Sequence, residues 1–246
     1  AGPGGGRLQN PQGGEGCSVC RRRVSVDPWL ESILEWGSFI LPFMPQTTLH
    51  SSSPVSTNPR LWGLIPCAGN GSRSGAVGPK QYQPMAGKAM VLHTLSAFAA
   101  VERLAGTLVV VSSGDDFFEA QAVQVAACGG ATRAQSVSNG LDALLQRGAH
   151  ASDWVLVHDA ARCLITPAQI NALIDACLGD GVGGLLALPL PDTLKAAKNG
   201  RVAATLDRSD KWLAQTPQMF RLGALKAALH AAGDAVTDES SAMEFV

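Results

Sequence analysis

The chain has 246 residues, 46% of them apolar and only 5% aromatic, with a net charge of −1. That length suits one ordinary domain with a sizeable core, or a domain plus an appendage. The near-zero charge excludes a bulk nucleic-acid binder, so any anion site must be a local cluster of cations. Six scattered cysteines do not resemble a small disulfide scaffold, and they read as reduced, mostly buried thiols of a cytosolic protein. No apolar run reaches the roughly 18 residues of a membrane-spanning helix. The nearest, Trp29 to Met44, carries Glu31, Glu35 and Pro42, and those acids also argue against a signal-peptide core. The sequence opens at Ala1 and stops at Val246 inside a helical pattern, "DESSAMEFV", and reads as a fragment of a longer protein.

Residues 1–60 differ from the rest in composition. "AGPGGG" and "NPQGGEG" are flexible coil, and "SSSPVSTNP", Ser51 to Pro59, reads as a linker. This stretch is expected to be a flexible extension outside the fold. Cys17 and Cys20 form a lone C-x-x-C, half of what a structural zinc site needs, so they read as free thiols. Arg21 to Arg23 read as solvated charge. A transit peptide is the minority reading of the extension.

From Leu61 the pattern alternates between strand and helix. Leu61–Ile65, Thr107–Val111, Val123–Ala127, Trp154–His158 and Gly184–Leu188 are short apolar strands. Ala89–Val101, Arg133–Gln146 and Pro167–Leu178 have helical periodicity, the last with Thr166 as N-cap and Pro167 in its first turn. Continuous apolar strands between helices predict a doubly wound, mostly parallel sheet covered on both faces: an α/β three-layer sandwich of the Rossmann-like kind. Ligands of such sheets sit at the carboxyl ends of the strands.

The first strand runs into "PCAGNGSRSGAVGPK", Pro66 to Lys80. A dinucleotide fingerprint fits poorly, because the third glycine comes one position late and no helix starts at the loop. A Walker A loop needs Gly-Lys-Ser/Thr, which "GPKQ" lacks. A nucleotidyltransferase loop explains both the glycines and the spaced cations, Arg73 and Lys80: backbone amides wrap a triphosphate while the cations offset its charge. A loose surface loop would explain the glycines alone.

With these blocks in order, the sequence resembles the 2-C-methyl-D-erythritol 4-phosphate cytidylyltransferases of the non-mevalonate isoprenoid route. The resemblance runs from about Leu61 to Val246. It is carried by "PCAGNGSRSGAVGPKQY", "GGATRAQSVSNGL", "VLVHDAARCL", "DTLK", "LDRSDKWLAQTPQMF" and "TDESSA". It implies transfer of CMP from CTP to methylerythritol phosphate, with release of pyrophosphate. Rival readings are a cytidylyltransferase for another polyol phosphate, such as ribitol 5-phosphate, and a CTP-binding remnant without turnover.

The resemblance also implies roles for single residues. Arg73 and Lys80 would stabilise charge on the α-phosphate, and Ala68, Gly69 and Gly71 would line the phosphates. Gly129 and Gly130, with Ala131 and Ser136, would read the cytosine, supported by Arg133. Ala131 stands where the family often has an acid. Asp159 would hold Mg²⁺, Ala160 would lie beside the nucleotide, and Arg162 would brace the loop. Cys163 follows where the family commonly has proline. His158 is expected to be structural. Residues 189–212 would form an arm clasping a second subunit, and Thr193 and Arg208 on it, with help from Lys195, would bind the polyol phosphate in the partner's site. Thr216 would lie near the active site, and Thr237–Glu239 would open a helix with acids in its first turn. The family's C-terminal tail would be missing. A homodimer with no nucleic-acid or membrane partner is implied, cytoplasmic in a bacterium, or plastid-located if the extension is a transit peptide.

Overall fold

The computed structural model describes residues 39–43, 58–69, 78–233 and 236–245. Cys17, Cys20, Arg21 to Arg23, the linker up to Thr57, Gly71 and Arg73 lie outside the described residues. A seven-stranded sheet dominates, in the order β1-β8-β11-β7-β2-β5-β6. These strands are β1 (Phe39–Pro42), β2 (Leu61–Pro66), β5 (Leu104–Val110), β6 (Gln124–Ala126), β7 (Trp154–Val157), β8 (Gly183–Pro189) and β11 (Trp212–Arg221). β2 runs parallel to both β5 and β7, and β5 parallel to β6. β11 is antiparallel to β7 and β8, and β1 is antiparallel to β8. Two small ribbons, β3 (Pro84–Met85) with β4 (Lys88–Ala89) and β9 (Leu194–Lys198) with β10 (Arg201–Leu206), stand outside this sheet.

Side-chain alternation builds the layers. In β2, Leu61 and Ile65 face one way, and Trp62 and Leu64 the other. On the first face they meet Val109, Trp154, Leu156 and Met219, covered by helices α1 (Met90–Ala99) and α3 (Pro167–Leu178) through Phe98, Ile170, Leu173 and Ile174. On the second they meet Leu108, Val110, Val155 and Phe220. These are covered by α2 (Arg133–Gln146) and α4 (Leu222–Ala232) through Val137, Leu141, Leu144 and Leu225. Both faces of the sheet are therefore buried, which is why its strands read as unbroken apolar runs. Gly140 lets α2 lie close on the sheet, since a Cβ there would come within 2.8 Å of Leu64 and Val110.

The helix ends follow from capping. The Thr132 side chain accepts from the Gln135 N–H and starts α2. Thr166 and Gln169 form a reciprocal capping box at the start of α3, with proline in its first turn. α5 (Glu239–Met243) starts on a second box, between Asp238 and Ser241.

Two elements differ from the sequence expectation. Phe39–Pro42, inside the stretch read as a flexible extension, forms the edge strand beside β8, register Phe39 to Ala187 through Pro42 to Gly184. Its side chains explain the placement: Ile40 packs on one core and Phe43 on the other, and Phe39 meets Trp212 edge-on at 5.4 Å. Trp212–Arg221 is the second, an antiparallel strand inserted between two parallel ones. The four described cysteines are free thiols, Cys67 and Cys177 buried and Cys128 and Cys163 half-buried.

Asp153 ties the start of β2 to the start of β7. Its carboxylate is 1% exposed and accepts from the Arg60 N–H at 2.9 Å, the Trp62 indole at 3.0 Å and the His150 N–H at 3.0 Å. Burial works to raise its pKa, but these donors and the Arg60 guanidinium outweigh it and hold the carboxyl low. The interaction therefore stabilises the fold above the ordinary carboxylate range and is lost as the pH falls through the lowered folded pKa. Asp153→Ala strands three donors, and we expect it to cost about 3 kcal/mol in urea unfolding at neutral pH.

Candidate active site

The segments picked out from the sequence come together past the carboxyl ends of β2, β5 and β7. Past β2, the Cys67 N–H donates to the Val110 carbonyl at 2.7 Å. The Ser112 hydroxyl donates to the Ala68 carbonyl at 3.0 Å, which draws the ends of β2 and β5 together. The chain returns at Gly78, where φ is +94°, a conformation that suits glycine. Lys80 then opens a single 3-10 turn, Lys80–Tyr82. Gln81 in that turn is buried, and its amide donates to the Cys67 and Gly69 carbonyls at 2.9 and 2.8 Å. It thus ties both ends of the glycine loop to one point and leaves Lys80 beside it, exposed.

The second block packs on the first. A Cβ on Gly129 would lie 2.3 Å from that of Ala68, so only glycine permits this approach of loop to loop. The Gly129 N–H donates to the Val111 carbonyl. The Gly130 N–H donates to Ser136 Oγ at 3.0 Å, and that hydroxyl donates to the Thr132 carbonyl at 2.9 Å. Ser136 is 4% exposed, so its hydroxyl shapes the Gly129–Thr132 loop from beneath. The exposed Ala131 offers its N–H to the Gln135 side chain.

The third block is the turn after β7. Asp159 Oδ1 accepts from Arg133 Nε at 2.8 Å, and Oδ2 from Arg162 Nε at 2.9 Å. Burial works to raise its carboxyl pKa, but the two arginines outweigh it and hold the carboxyl below the usual range. Arg162 also donates to the Gln215 side chain, so it braces this turn as expected. Ala160 is buried, its carbonyl held by Thr94 Oγ1.

β11 supplies the fourth side. Its pairing with β8 breaks between Ala214 and Gln218, at Pro217, which has no N–H to give a ladder. The bulge turns Gln215 and Thr216 toward the site. Thr216 is buried, and its hydroxyl accepts from the Asp159 N–H at 3.2 Å and meets His158 Nδ1 at 3.0 Å. His158 Nε2 faces the Arg162 carbonyl at 3.1 Å. A carbonyl only accepts, so Nε2 carries the proton and Nδ1 takes the Thr216 hydroxyl proton. Both ring nitrogens are used in holding the turn, which is a structural role.

Burial pushes the His158 pKa down from 6.5 to about 4, with Asp159 and Arg162 the charged groups beside it. The unfolded chain takes up this proton near the ordinary value and the folded chain does not. Stability is therefore expected to fall by roughly 3 kcal/mol as the pH drops through that window, and a His158→Asn variant should lose this part of the slope in urea titrations.

Thr193 and Arg208 lie elsewhere. Both are exposed and flank the β9–β10 ribbon. Lys195 donates across that ribbon to Thr205 at 2.6 Å. No hydrogen bond or ion pair among the described residues joins this ribbon to the Asp159 cluster.

Three site-supporting residues escape sequence reasoning. Gln81 looks like an ordinary loop residue. Gln218 accepts from the Ser240 N–H and donates to Asp238, seating the Thr237–Ser241 segment on β11. Glu239, read only as a helix-dipole acid, is fully buried and takes the Arg133 guanidinium at 2.6 and 3.0 Å. Burial raises its pKa against the opposing pull of Arg133. The one available signal was its place in the "TDESSA" block.

The chain is similar to known proteins along most of its length. Residues 61–246 match the family model IspD, 2-C-methyl-D-erythritol 4-phosphate cytidylyltransferase. It is 70% identical over 193 residues to a bifunctional enzyme IspD/IspF of Albidiferax ferrireducens, covering 76% of this chain but 46% of that longer protein. It is 51% identical over 199 residues to the 2-C-methyl-D-erythritol 4-phosphate cytidylyltransferase of Paraburkholderia xenovorans, covering 76% of this chain and 84% of that one. A crystal structure of 4-diphosphocytidyl-2C-methyl-D-erythritol synthase superposes with a TM-score of 0.65 at 39% identity, over 76% of this chain and 85% of that one. A family match over three quarters of the chain, relatives at 51–70% identity and a shared fold lead to one conclusion: the chain belongs to the 2-C-methyl-D-erythritol 4-phosphate cytidylyltransferase family of nucleotidyltransferases.

Proposed function

We propose that this chain transfers CMP from CTP to 2-C-methyl-D-erythritol 4-phosphate, giving 4-diphosphocytidyl-2-C-methyl-D-erythritol and pyrophosphate. The observation that carries the reading is the seating of the Gly129–Thr132 loop on Ala68, at the foot of the glycine loop. The two blocks to which the resemblance gives the base and the phosphates then adjoin each other past the strand ends. A phosphate oxygen of the acceptor attacks the α-phosphorus of CTP. The new P–O bond forms as the bond to the bridging oxygen breaks, and pyrophosphate carries the electron pair away. The attacking phosphate is already an anion near neutral pH, so no general base is needed. Lys80, with Arg73 on the same loop, offsets the charge gathering around the α-phosphorus. Gln81 fixes the loop that carries them.

Asp159 fits a single-carboxylate seat for Mg²⁺. Its low pKa keeps it ionised, its side chain is 30% exposed, and each of its oxygens retains a lone pair beside the arginine bond. No group of three or more acids, histidines or cysteines gathers among the described residues. The nucleotide's phosphates and waters would therefore supply the other ligands, as is usual for this ion. When bound, Mg²⁺ would neutralise triphosphate charge.

The arm is proposed to pair two copies, with Thr193 and Arg208 reaching the partner's acceptor site. Every residue of β10 is exposed, and Val202 and Leu206 offer apolar surface for such a contact. We place the protein in the bacterial cytoplasm, in keeping with its bacterial relatives. No helix among the described residues is long and apolar enough to cross a membrane. Steady-state assays with methylerythritol phosphate and ribitol 5-phosphate as alternative acceptors test the reading. A clear preference in kcat/KM for the former is expected, and a preference for the latter would overturn it.

A further inference from the structure

We propose that Glu239 is a positioning residue: it holds Arg133 so that Asp159 stays open to the nucleotide, making helix α5 part of the site. The inference rests on the function proposed above. Glu239 has no exposed surface, and a buried carboxylate costs several kcal/mol unless it is paired. Both of its oxygens are met by the two terminal nitrogens of Arg133. A third Arg133 donor, Nε, goes to Asp159. One planar guanidinium thus bridges two acids contributed by different elements, its donors divided between them.

That division matters for Asp159. A guanidinium free of Glu239 would be able to turn its fork onto Asp159 and occupy both carboxylate oxygens, the preferred arrangement for this pair. Arg162 already uses the second oxygen. Glu239 therefore restrains Arg133 to a single bond with Asp159 and leaves lone pairs on that carboxylate for a nucleotide-bound cation. The restraint is rigid, because Glu239 is itself fixed. The Gln218 side chain holds the Ser240 N–H and Asp238, and Asp238 and Ser241 cap each other. Buried as it is, Glu239 touches no substrate and acts only through Arg133.

Calorimetric titration of the full chain with CTP, once in EDTA and once with Mg²⁺, tests this without relying on turnover. The wild-type chain should bind CTP in both and more tightly with Mg²⁺. Glu239→Gln should keep the EDTA affinity, while the gain on adding Mg²⁺ shrinks by about tenfold, the usual effect of removing a partner that orients a ligating carboxylate. Equal losses in both conditions, following a fall in Tm, would overturn the proposal and leave Glu239 as a fold residue. So would an unchanged gain. If Glu239→Gln does not fold, Glu239→Asp decides: it keeps the charge but sets the carboxylate one methylene short of the Arg133 fork, and the Mg²⁺ gain should shrink likewise. No CTP binding by the wild-type chain in either condition would instead remove the underlying functional reading.

Discussion

Replacing Lys80 with alanine is expected to lower kcat by about a hundredfold or more while leaving the fold intact, the scale seen when one preorganised charge stabiliser is removed. Lys80 is exposed, and its side chain makes no hydrogen bond or ion pair with any described residue. Its loss should therefore change stability by no more than about 0.5 kcal/mol. Gln81 would still hold the Cys67 and Gly69 carbonyls, so the described ends of the glycine loop stay together. The prediction is specific: the KM for CTP changes less than kcat, and the Tm does not move. A Lys80→Ala variant with full turnover would show that this cation takes no part in the transfer.

The second large effect is on stability. Arg133→Met should destabilise the chain by about 3–5 kcal/mol, because it removes the fork that meets both oxygens of a fully buried carboxylate. Glu239 has no access to water, and its two oxygens receive the Arg133 fork. Without that fork the acid must either remain charged in an apolar setting or take up a proton. The double variant Arg133→Met with Glu239→Leu should recover much of the loss, since replacing both partners with apolar groups avoids the stranded charge. Urea unfolding of the single and double variants checks this. Equal destabilisation of the two would mean that the pair contributes little to the coupling.

The fold was legible in the sequence wherever its signals were local. Arg133–Gln146 and Pro167–Leu178 read to their observed ends, because caps and prolines lie within a few residues of the boundary. The buried parallel strands read as apolar runs for the reason given by the two cores. What escaped depends on distant partners. β11 carries no alternating pattern of its own across Gln215 to Pro217, and only β7 and β8 on either side make it a strand. Phe39–Pro42 is four residues near the end of an apolar stretch set between coil and linker, and its pairing with β8 lies far along the chain.

The site divides in the same way. The glycine loop and Asp159 could be found from their place after apolar strands. Lys80 could be found as a cation within a glycine-rich run. Glu239 could not be ranked above any other acid in a first helical turn, since its partner lies 106 residues earlier. Ser136 reads as part of the base-reading block, and its hydroxyl is bonded to Gly130 and Thr132. Its place within the block was readable and its bonding was not.

The most direct test of the central claim is the rate of pyrophosphate release from CTP and Mg²⁺ by this chain, with and without 2-C-methyl-D-erythritol 4-phosphate. Release is expected to depend on that acceptor and to be lost in Lys80→Ala. Release that ignores the acceptor, or its absence from a chain that binds CTP, would contradict that claim.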